Sequence, residues 1–225
     1  MSWAEWAADV EIEPSIYASD FSRLGVQLEA LHDAGARVFH FDVGDGHFIP
    51  EITIGPVVLA SISPLARGWG ALLDCHLMVA EPEGQFEAVA KAGGDSVTFH
   101  VEACDDPPRA MAGARSLGLA AGVAFSPETS VGDAVTAADG ADLVLCMSIH
   151  PGYSGQAFMP EALPRIRELR GLLPPDVLVQ VDGGVGAANI GAIHEAGASL
   201  LVAGSAVFGH GDLRAAYRGL VQALA

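Results

Sequence analysis

Two pairs of polar residues interrupt apolar stretches of the chain with a spacing of two. His40 and Asp42 lie in VFHFDV at 38–43, and Asp74 and His76 lie in LLDCHLM at 72–78. Side chains two residues apart on a strand point to the same face, so each imidazole shares a face with a carboxylate. Burying such groups is costly unless something pairs with them. The spacing therefore indicates either satisfied His–Asp pairs in a core or part of a metal-ligating, acid–base site.

Strand-like and helix-like segments alternate along the whole chain and must position these residues. The eight predicted strands are 11–17, 38–43, 72–78, 96–101, 120–125, 143–147, 177–181 and 200–203. Each is followed by a helical pattern, which predicts a single-domain (β/α)8 TIM barrel, with an open doubly wound sheet as the alternative. We expect the barrel over residues 11–225 and an N-terminal extension outside the fold over residues 1–10.

Two imidazoles and two carboxylates come from three of these strands. They are His40, Asp42, His76 and Asp182. In a (β/α)8 barrel the C-terminal strand ends form the mouth where chemistry takes place, so these side chains converge there. Each alone is more often a hydrogen-bonded core group, but four at matching strand ends indicate one divalent ion. The donor set favours Zn²⁺ or Fe²⁺, with Mn²⁺ and Co²⁺ as alternatives.

Three further polar residues lie near the predicted ligands. Asp74 is expected to orient a neighbouring side chain rather than to ligate. His100 and Glu102, at the end of the fourth strand, are expected in the wall of the site or behind the ligands.

Glycine-rich segments follow the last three strands. They are SIHPGYSGQ at 148–156, DGG at 182–184 and AGSA at 203–206. Loops at these positions form the recurrent phosphate site of such barrels, because glycine lets backbone N–H groups approach phosphate oxygens. None of the three segments contains Lys or Arg. A phosphate would therefore be held by backbone dipoles and the Ser205 hydroxyl.

Composition excludes several classes of function. The formal charge is −17, without a basic patch, which disfavours nucleic acid and anionic membranes as partners. Lys91 is the only lysine and lies in a helical pattern, so Schiff-base chemistry is disfavoured. The longest apolar run, around 199–208, is too short to span a membrane, and no secretory signal is expected. Cys75, Cys104 and Cys146 lack metal-type spacing and are expected to be reduced thiols of a cytoplasmic protein.

Eight motifs follow one another along the chain. They are PSIYASDFSRLG (14–25), HFDVGDGHFIP (40–50), TIGP (53–56), DCHLMV (74–79), TFHVEA (98–103), HPGYSGQAFMP (150–160), VDGGV (181–185) and VAGSAVFG (202–209). In this order the chain resembles the ribulose-phosphate 3-epimerase family over nearly its full length. The resemblance implies a barrel of the ribulose-phosphate-binding type and a metal-dependent epimerase of the pentose phosphate pathway. Such an enzyme inverts C3 of D-ribulose 5-phosphate to give D-xylulose 5-phosphate through an enediolate.

The resemblance also implies roles for individual residues. It makes His40, Asp42, His76 and Asp182 the metal ligands, and Asp42 and Asp182 the acid–base pair. The substrate contacts that it implies are Ser15, His76, Gly152, Tyr153, Ser154, Gly155, Asp182, Gly183, Gly184, Gly204 and Ser205. We further expect a homo-oligomer, because apolar barrel exteriors often associate.

Four positions depart from the family pattern. The family usually has Met at Gly44, Asn at Glu51 and His150, and Gly at Ser154. These changes are expected to enlarge or repolarise the pocket rim, which makes a 3-epimerase of a six-carbon ketose phosphate, such as allulose 6-phosphate, the alternative. A lyase or decarboxylase of the same barrel type is less favoured, because its lysine between two aspartates is absent at residues 74–76. A non-catalytic phosphosugar-binding barrel is disfavoured by retention of all four ligands.

Overall fold

Eight parallel strands form one nearly closed sheet in the computed structural model, which describes Trp3 and residues 10–152 and 155–224. The strands are Glu11–Pro14 (β1), Val38–Gly44 (β2), Leu72–Met78 (β3), Ser96–His100 (β4), Ala120–Phe125 (β5), Leu143–Met147 (β6), Leu178–Asp182 (β7) and Leu200–Ala203 (β8). They pair in the order β1-β8-β7-β6-β5-β4-β3-β2. A parallel bridge between Ser15 and His40 brings the two ends of this order together. The predicted (β/α)8 barrel is confirmed.

Helices cover the outside of the barrel. In the described part of the chain they are Leu24–Ala34 (α1), Pro56–Trp69 (α2), Phe86–Ala92 (α3), Pro107–Ser116 (α4), Val131–Ala137 (α5), Ala162–Leu172 (α6), Ile190–Glu195 (α7), Ser205–Phe208 (α8) and Leu213–Leu224 (α9). Short 3₁₀ turns lie at Ile16–Ala18, Phe21–Arg23, Pro82–Gln85 and Val101–Ala103. Among the described helices, none is both long enough and apolar enough to cross a membrane.

Local signals in the sequence set several helix ends. Ser130 accepts a hydrogen bond from the N–H of Asp133 and so caps the start of α5. Gly35 ends α1 in the left-handed conformation, with φ +114°, which glycine adopts without steric cost. Pro56 is the first residue of α2, where its fixed φ suits a helix and its missing N–H costs nothing.

Alternation along the strands separates two cores. In β2, Phe39 and Phe41 point outward and pack in the large cluster between strands and helices, whereas Val38 belongs to a smaller cluster inside the barrel. The inward positions that follow Val38 are His40 and Asp42, nearer the C-terminal mouth. The barrel interior therefore changes from apolar at its N-terminal end to polar at its C-terminal end.

Trp3 belongs to the interior cluster. Its side chain is 3% exposed and is grouped with Val38, Leu143, Leu178 and Leu200, residues at or near the N-terminal ends of four strands. Trp3 thus adds to the core at the N-terminal end of the barrel. Residues 1–2 and 4–9 of the expected extension lie outside the described residues, and the domain boundary near residue 10 stays a prediction.

Candidate metal centre and active site

Strand register brings the four predicted ligands together. β2 and β3 pair so that Asp42 lies opposite His76. The Oδ1 atom of Asp42 is 3.2 Å from His40 Nε2 and 3.2 Å from His76 Nδ1. Asp182, the last residue of β7, places its Oδ2 3.8 Å from His76 Nδ1. Each of the four side chains offers one ligand atom, and these atoms all lie within 4.8 Å of one another.

The hydrogen bonding and the chemical types of these ligand atoms fit a bound divalent cation. His40 Nε2 is buried and makes no hydrogen bond in the described part of the protein. A buried ring nitrogen without a partner is unfavourable unless a ligand uses it. Two imidazole nitrogens and two carboxylate oxygens are also a donor set that Zn²⁺ and neighbouring divalent ions accept. The residues present therefore fit one such ion.

A buried polar network lies behind His40. His40 Nδ1 is 2.9 Å from Asp74 Oδ2, and Asp74 also accepts hydrogen bonds from Ser96 Oγ at 2.6 Å and from Gln180 Nε2 at 2.7 Å. Gln180 Nε2 donates its second hydrogen bond to Glu13 Oε2, at 2.6 Å. All five side chains are buried. The expectation that Asp74 orients a neighbour is consistent with this contact, and the neighbour is His40.

A second buried network lies behind His76. His76 Nε2 is 3.0 Å from His100 Nε2, and His100 Nδ1 is 3.0 Å from Glu102 Oε2. The other carboxylate oxygen of Glu102 accepts hydrogen bonds from the N–H of Ser126 and the hydroxyl of Thr129. His100 is fully buried, and the Glu102 side chain is 27% exposed. The structure thus places both residues behind His76 rather than among the ligating atoms.

The two carboxylates nearest the mouth differ in their affinity for a proton. Burial alone would raise the pKa of Asp42, but the charge of His40, whose Nε2 lies 3.2 Å from Asp42 Oδ1, and then the contact with His76 hold that pKa well below its usual value. Burial raises the pKa of Asp182, and the negative charge of Asp42 raises it further. In the protein without a metal, a proton therefore resides on Asp182 before it resides on Asp42.

A pocket opens above this cluster. Its walls include most of the predicted substrate contacts, namely Ser15, Gly152, Gly155, Asp182, Gly183, Gly184, Gly204 and Ser205. His76 is fully buried beneath it, and Tyr153 and Ser154 lie outside the described residues. Met78 and Met147 also line the pocket. The sequence analysis did not identify Tyr17, Ile149, Val185 and Val202, which are part of the same walls.

Two glycines at the end of β7 allow close packing of the glycine-rich segments. Gly184 has φ +64°, and a Cβ there would lie 2.4 Å from the backbone nitrogen of Phe158. Gly183 has φ +122°, and a Cβ there would lie 2.4 Å from Ile149 Cγ1. No other residue type fits these positions without displacing the neighbouring segment.

Gly44 does not widen the pocket, contrary to the expectation from the sequence. A Cβ at residue 44 would lie 2.6 Å from Ile49 Cδ1 and 3.0 Å from Thr53 Cγ2. The space that a larger residue would take is therefore already filled by Ile49 and Thr53. Of the other departures, His150 pairs with Glu128 at 3.0 Å on the surface, and Glu51 lies against Gly152.

The fold and the site together define a (β/α)8 barrel with two carboxylates and two imidazoles at its C-terminal mouth, a group that could hold a metal ion. The model of the ribulose-phosphate 3-epimerase family matches residues 11–208, and the chain belongs to that family. It is 40% identical to the ribulose-phosphate 3-epimerase of Bacillus subtilis (strain 168) over 92% of this chain and 96% of the relative. It is 43% identical to that of Synechocystis sp. over 89% of this chain and 88% of the relative.

The barrel is shared more widely than the family. The crystal structure of 3-hexulose-6-phosphate synthase superposes with a TM-score of 0.69 over 96% of this chain and all of the other, at 21% identity. At this identity the likeness concerns the fold alone.

Proposed function

We propose that this protein interconverts D-ribulose 5-phosphate and D-xylulose 5-phosphate by inverting the configuration at C3. Membership of the family supports the reaction class. The single observation that carries the proposal is that Asp42 and Asp182 line the same pocket, with their carboxylate oxygens within 4.8 Å of the ligand atoms of His40 and His76. Inversion next to a ketone requires one group that removes a proton and another that delivers one, and this pair is suited to the task.

Asp42 and Asp182 would act on opposite faces of the substrate. Asp42 accepts the C3 proton of ribulose 5-phosphate, and the C3–H electron pair passes into the adjoining carbonyl to give an enediolate. Asp182 then donates its proton to C3 from the other face, which restores the ketone with inverted configuration. The reverse reaction exchanges these roles, because each cycle leaves the pair with one proton in total.

The metal site is part of the same proposal. His40, Asp42, His76 and Asp182 would hold one divalent ion, with Zn²⁺ or Fe²⁺ favoured and Mn²⁺ or Co²⁺ as alternatives. When bound, such an ion supplies stabilisation of the negative charge that develops on the substrate oxygens. The buried networks behind His40 and His76 would keep both imidazoles aimed at one point.

The glycine-rich segments would hold the substrate phosphate. Gly183, Gly184, Gly204 and Ser205 line one side of the pocket, where backbone N–H groups can approach an anion closely. Gly152 and Gly155 belong to the long segment between β6 and α6, which would cover the bound substrate and exclude water. Ser15 donates to Asp42 Oδ2 at 2.7 Å and would help to place that carboxylate.

We also propose a cytoplasmic homo-oligomer. Phe21, Val26 and Leu65 are exposed large apolar side chains that line one groove between α1 and α2, a surface suited to association with another copy. Cys75, Cys104 and Cys146 are free thiols, as is usual in a reducing compartment.

The substrate is tested by comparing kcat/KM for D-ribulose 5-phosphate and for allulose 6-phosphate on the metal-loaded enzyme. We expect the five-carbon substrate to be preferred by at least about 100-fold, because the pocket gains no room at Gly44. A preference for the six-carbon substrate would overturn this assignment and leave the epimerase chemistry in place.

A further inference from the structure

We infer that Glu102 is a positioning residue that acts through His100 to keep the proton of His76 on Nε2. The His76 Nδ1 lone pair is then available to a cation that lies between it and the carboxylates of Asp42 and Asp182. This inference rests on the metal site of the proposed function and adds two residues that determine which nitrogen of His76 can ligate.

The chain of contacts is short and continuous. His76 Nε2 lies 3.0 Å from His100 Nε2, and His100 Nδ1 lies 3.0 Å from Glu102 Oε2. The ring of Phe48 packs against His100, with the ring centroids 4.7 Å apart. Both imidazoles are fully buried, so solvent does not compete for these nitrogens.

The directions of these hydrogen bonds determine which ring nitrogens of His100 and His76 carry protons. A carboxylate only accepts, so His100 Nδ1 must carry a proton toward Glu102. In a neutral His100, Nε2 then has a lone pair and can only accept from His76. The contacts from Glu102 therefore favour a proton on Nε2 of His76 and a lone pair on Nδ1. In the metal-free protein the Asp42 carboxylate, 3.2 Å from Nδ1, favours the opposite tautomer, so the balance between the two tautomers depends on Glu102. The opposite tautomer of His76 would place two lone pairs or two protons against each other somewhere along the chain.

The orientation of the Glu102 carboxylate is itself fixed. Its Oε1 accepts from the N–H of Ser126 at 2.8 Å and from the hydroxyl of Thr129. Arg165 holds this turn by donating to the carbonyl oxygen of Ser126 at 2.7 Å. Because two donors occupy Oε1, it is Oε2 that faces His100.

Because of this orientation, Glu102→Gln should reverse the direction of the hydrogen bond to His100 rather than only remove it. The two donors at Oε1 select the amide oxygen for that position, which turns the NH₂ group toward His100 Nδ1. His100 would then accept at Nδ1 and carry its proton on Nε2, facing His76. His76 would take its proton on Nδ1, where it blocks the ligating lone pair.

Two measurements test the inference. Long-range ¹H–¹⁵N NMR of the metal-free protein reports the tautomer of His76, and competition with a chromophoric chelator gives the Kd for Zn²⁺. We expect a larger population of the Nε2–H tautomer in the unsubstituted protein than in Glu102→Gln, which should bind Zn²⁺ about 10- to 100-fold more weakly. Glu102→Ala, which removes the acceptor without supplying a donor, should give an intermediate tautomer population and an intermediate Kd.

Thr98→Val is the matched control. Thr98 lies on the same strand two residues before His100, is fully buried, and its hydroxyl makes no hydrogen bond in the described part of the protein. This variant should leave both the tautomer and the Kd unchanged. The inference is overturned if Glu102→Gln folds with the same tautomer population of His76 as the unsubstituted protein, or if its Kd stays within about twofold of the unsubstituted value. Absence of Zn²⁺ binding in the unsubstituted protein would instead contradict the proposed function, and the tautomer measurement would still decide the inference.

Discussion

His40 Nδ1 lies 2.9 Å from Asp74 Oδ2, and both side chains are fully buried. This contact directs His40 Nε2 toward the mouth of the barrel, whereas His76 directs Nδ1 there. The two imidazoles therefore present opposite nitrogens to the same point, and each is held from behind by a different strand. Asp74 holds His40 from the adjacent β3, and His100 holds His76 from the adjacent β4.

Replacing Asp74 by Asn should weaken metal binding by about 10- to 100-fold. Asp74 accepts hydrogen bonds from His40, Ser96 and Gln180, so the NH₂ group of an amide would face one of these donors. Chelator competition measures the change in Kd. Ser96→Ala, which removes only one donor, serves as the control and should change the Kd far less. Equal Kd values for Asp74→Asn and the unsubstituted protein would contradict an orienting role.

Glu13 should make the metal-free protein less stable as pH rises. Burial raises the pKa of Glu13 to about 7, although a hydrogen bond with His40 opposes this shift, and the negative charge of Asp74 adds to it. Between pH 4.5 and 7 the folded protein keeps a proton that the unfolded chain releases, so the free energy of unfolding falls across this range. Glu13→Gln removes this titration while Gln180 keeps a neighbouring acceptor.

Urea unfolding in the presence of a chelator at several pH values tests this prediction. Relative to Glu13→Gln, the unsubstituted protein should lose up to about 3 kcal/mol of stability between pH 4.5 and pH 7. Parallel stability curves for the two proteins would show that Glu13 does not hold a proton in the folded state.

Gly184→Ala should raise KM for the phosphorylated substrate by about 10-fold or more. Its Cβ would lie 2.4 Å from Phe158 N, and the φ of +64° is unfavourable for alanine, so the segment that lines the phosphate side of the pocket must shift. Gly186→Ala is the control, because its Cβ would only reach Ala206 at 3.7 Å and its N–H already donates to Asn189. Steady-state kinetics compare the two. A KM for Gly184→Ala equal to that of Gly186→Ala would contradict the assignment of this phosphate site.

Trp3→Ala should lower the free energy of unfolding by about 3 kcal/mol or more. The side chain is 3% exposed and belongs to the apolar cluster at the N-terminal end of the barrel. Val57→Ala, at a residue that is 86% exposed, should change stability by less than about 0.5 kcal/mol. Chemical denaturation of both variants gives the comparison. A stability for Trp3→Ala as high as that of Val57→Ala would show that residue 3 adds nothing to the core.

Most of the barrel could be predicted from the sequence, because mostly apolar strand-like segments alternate with helical patterns along the chain. The ends of individual strands and helices were less predictable. The first strand stops at Pro14 rather than at residue 17, since the chain turns into a 3₁₀ segment at Ile16–Ala18. Helix α2 contains Pro64 in its interior and still continues to Trp69, although proline removes one backbone hydrogen bond there.

Residues of the candidate site could be predicted from the sequence only where polar side chains recur at strand spacing within an apolar segment. His40, Asp42 and His76 stand out because polar residues interrupt apolar strands. Glu13 gave no such signal, because it lies in a short acidic stretch that reads as surface, yet the fold buries it completely. Its contact with Gln180 joins residues 167 positions apart, which only closure of the barrel brings together.

The most direct test of the two-carboxylate mechanism is the conversion of D-ribulose 5-phosphate in D₂O to D-xylulose 5-phosphate that carries deuterium at C3, followed by ¹H NMR. We predict rapid formation of this inverted, deuterated product by the unsubstituted enzyme and a loss of at least about 1000-fold in Asp182→Asn and in Asp42→Asn. Asp33→Asn, a remote carboxylate that pairs with Arg214 on the surface, should form the product at the unsubstituted rate. Undiminished formation of the inverted product by Asp182→Asn would contradict the central claim.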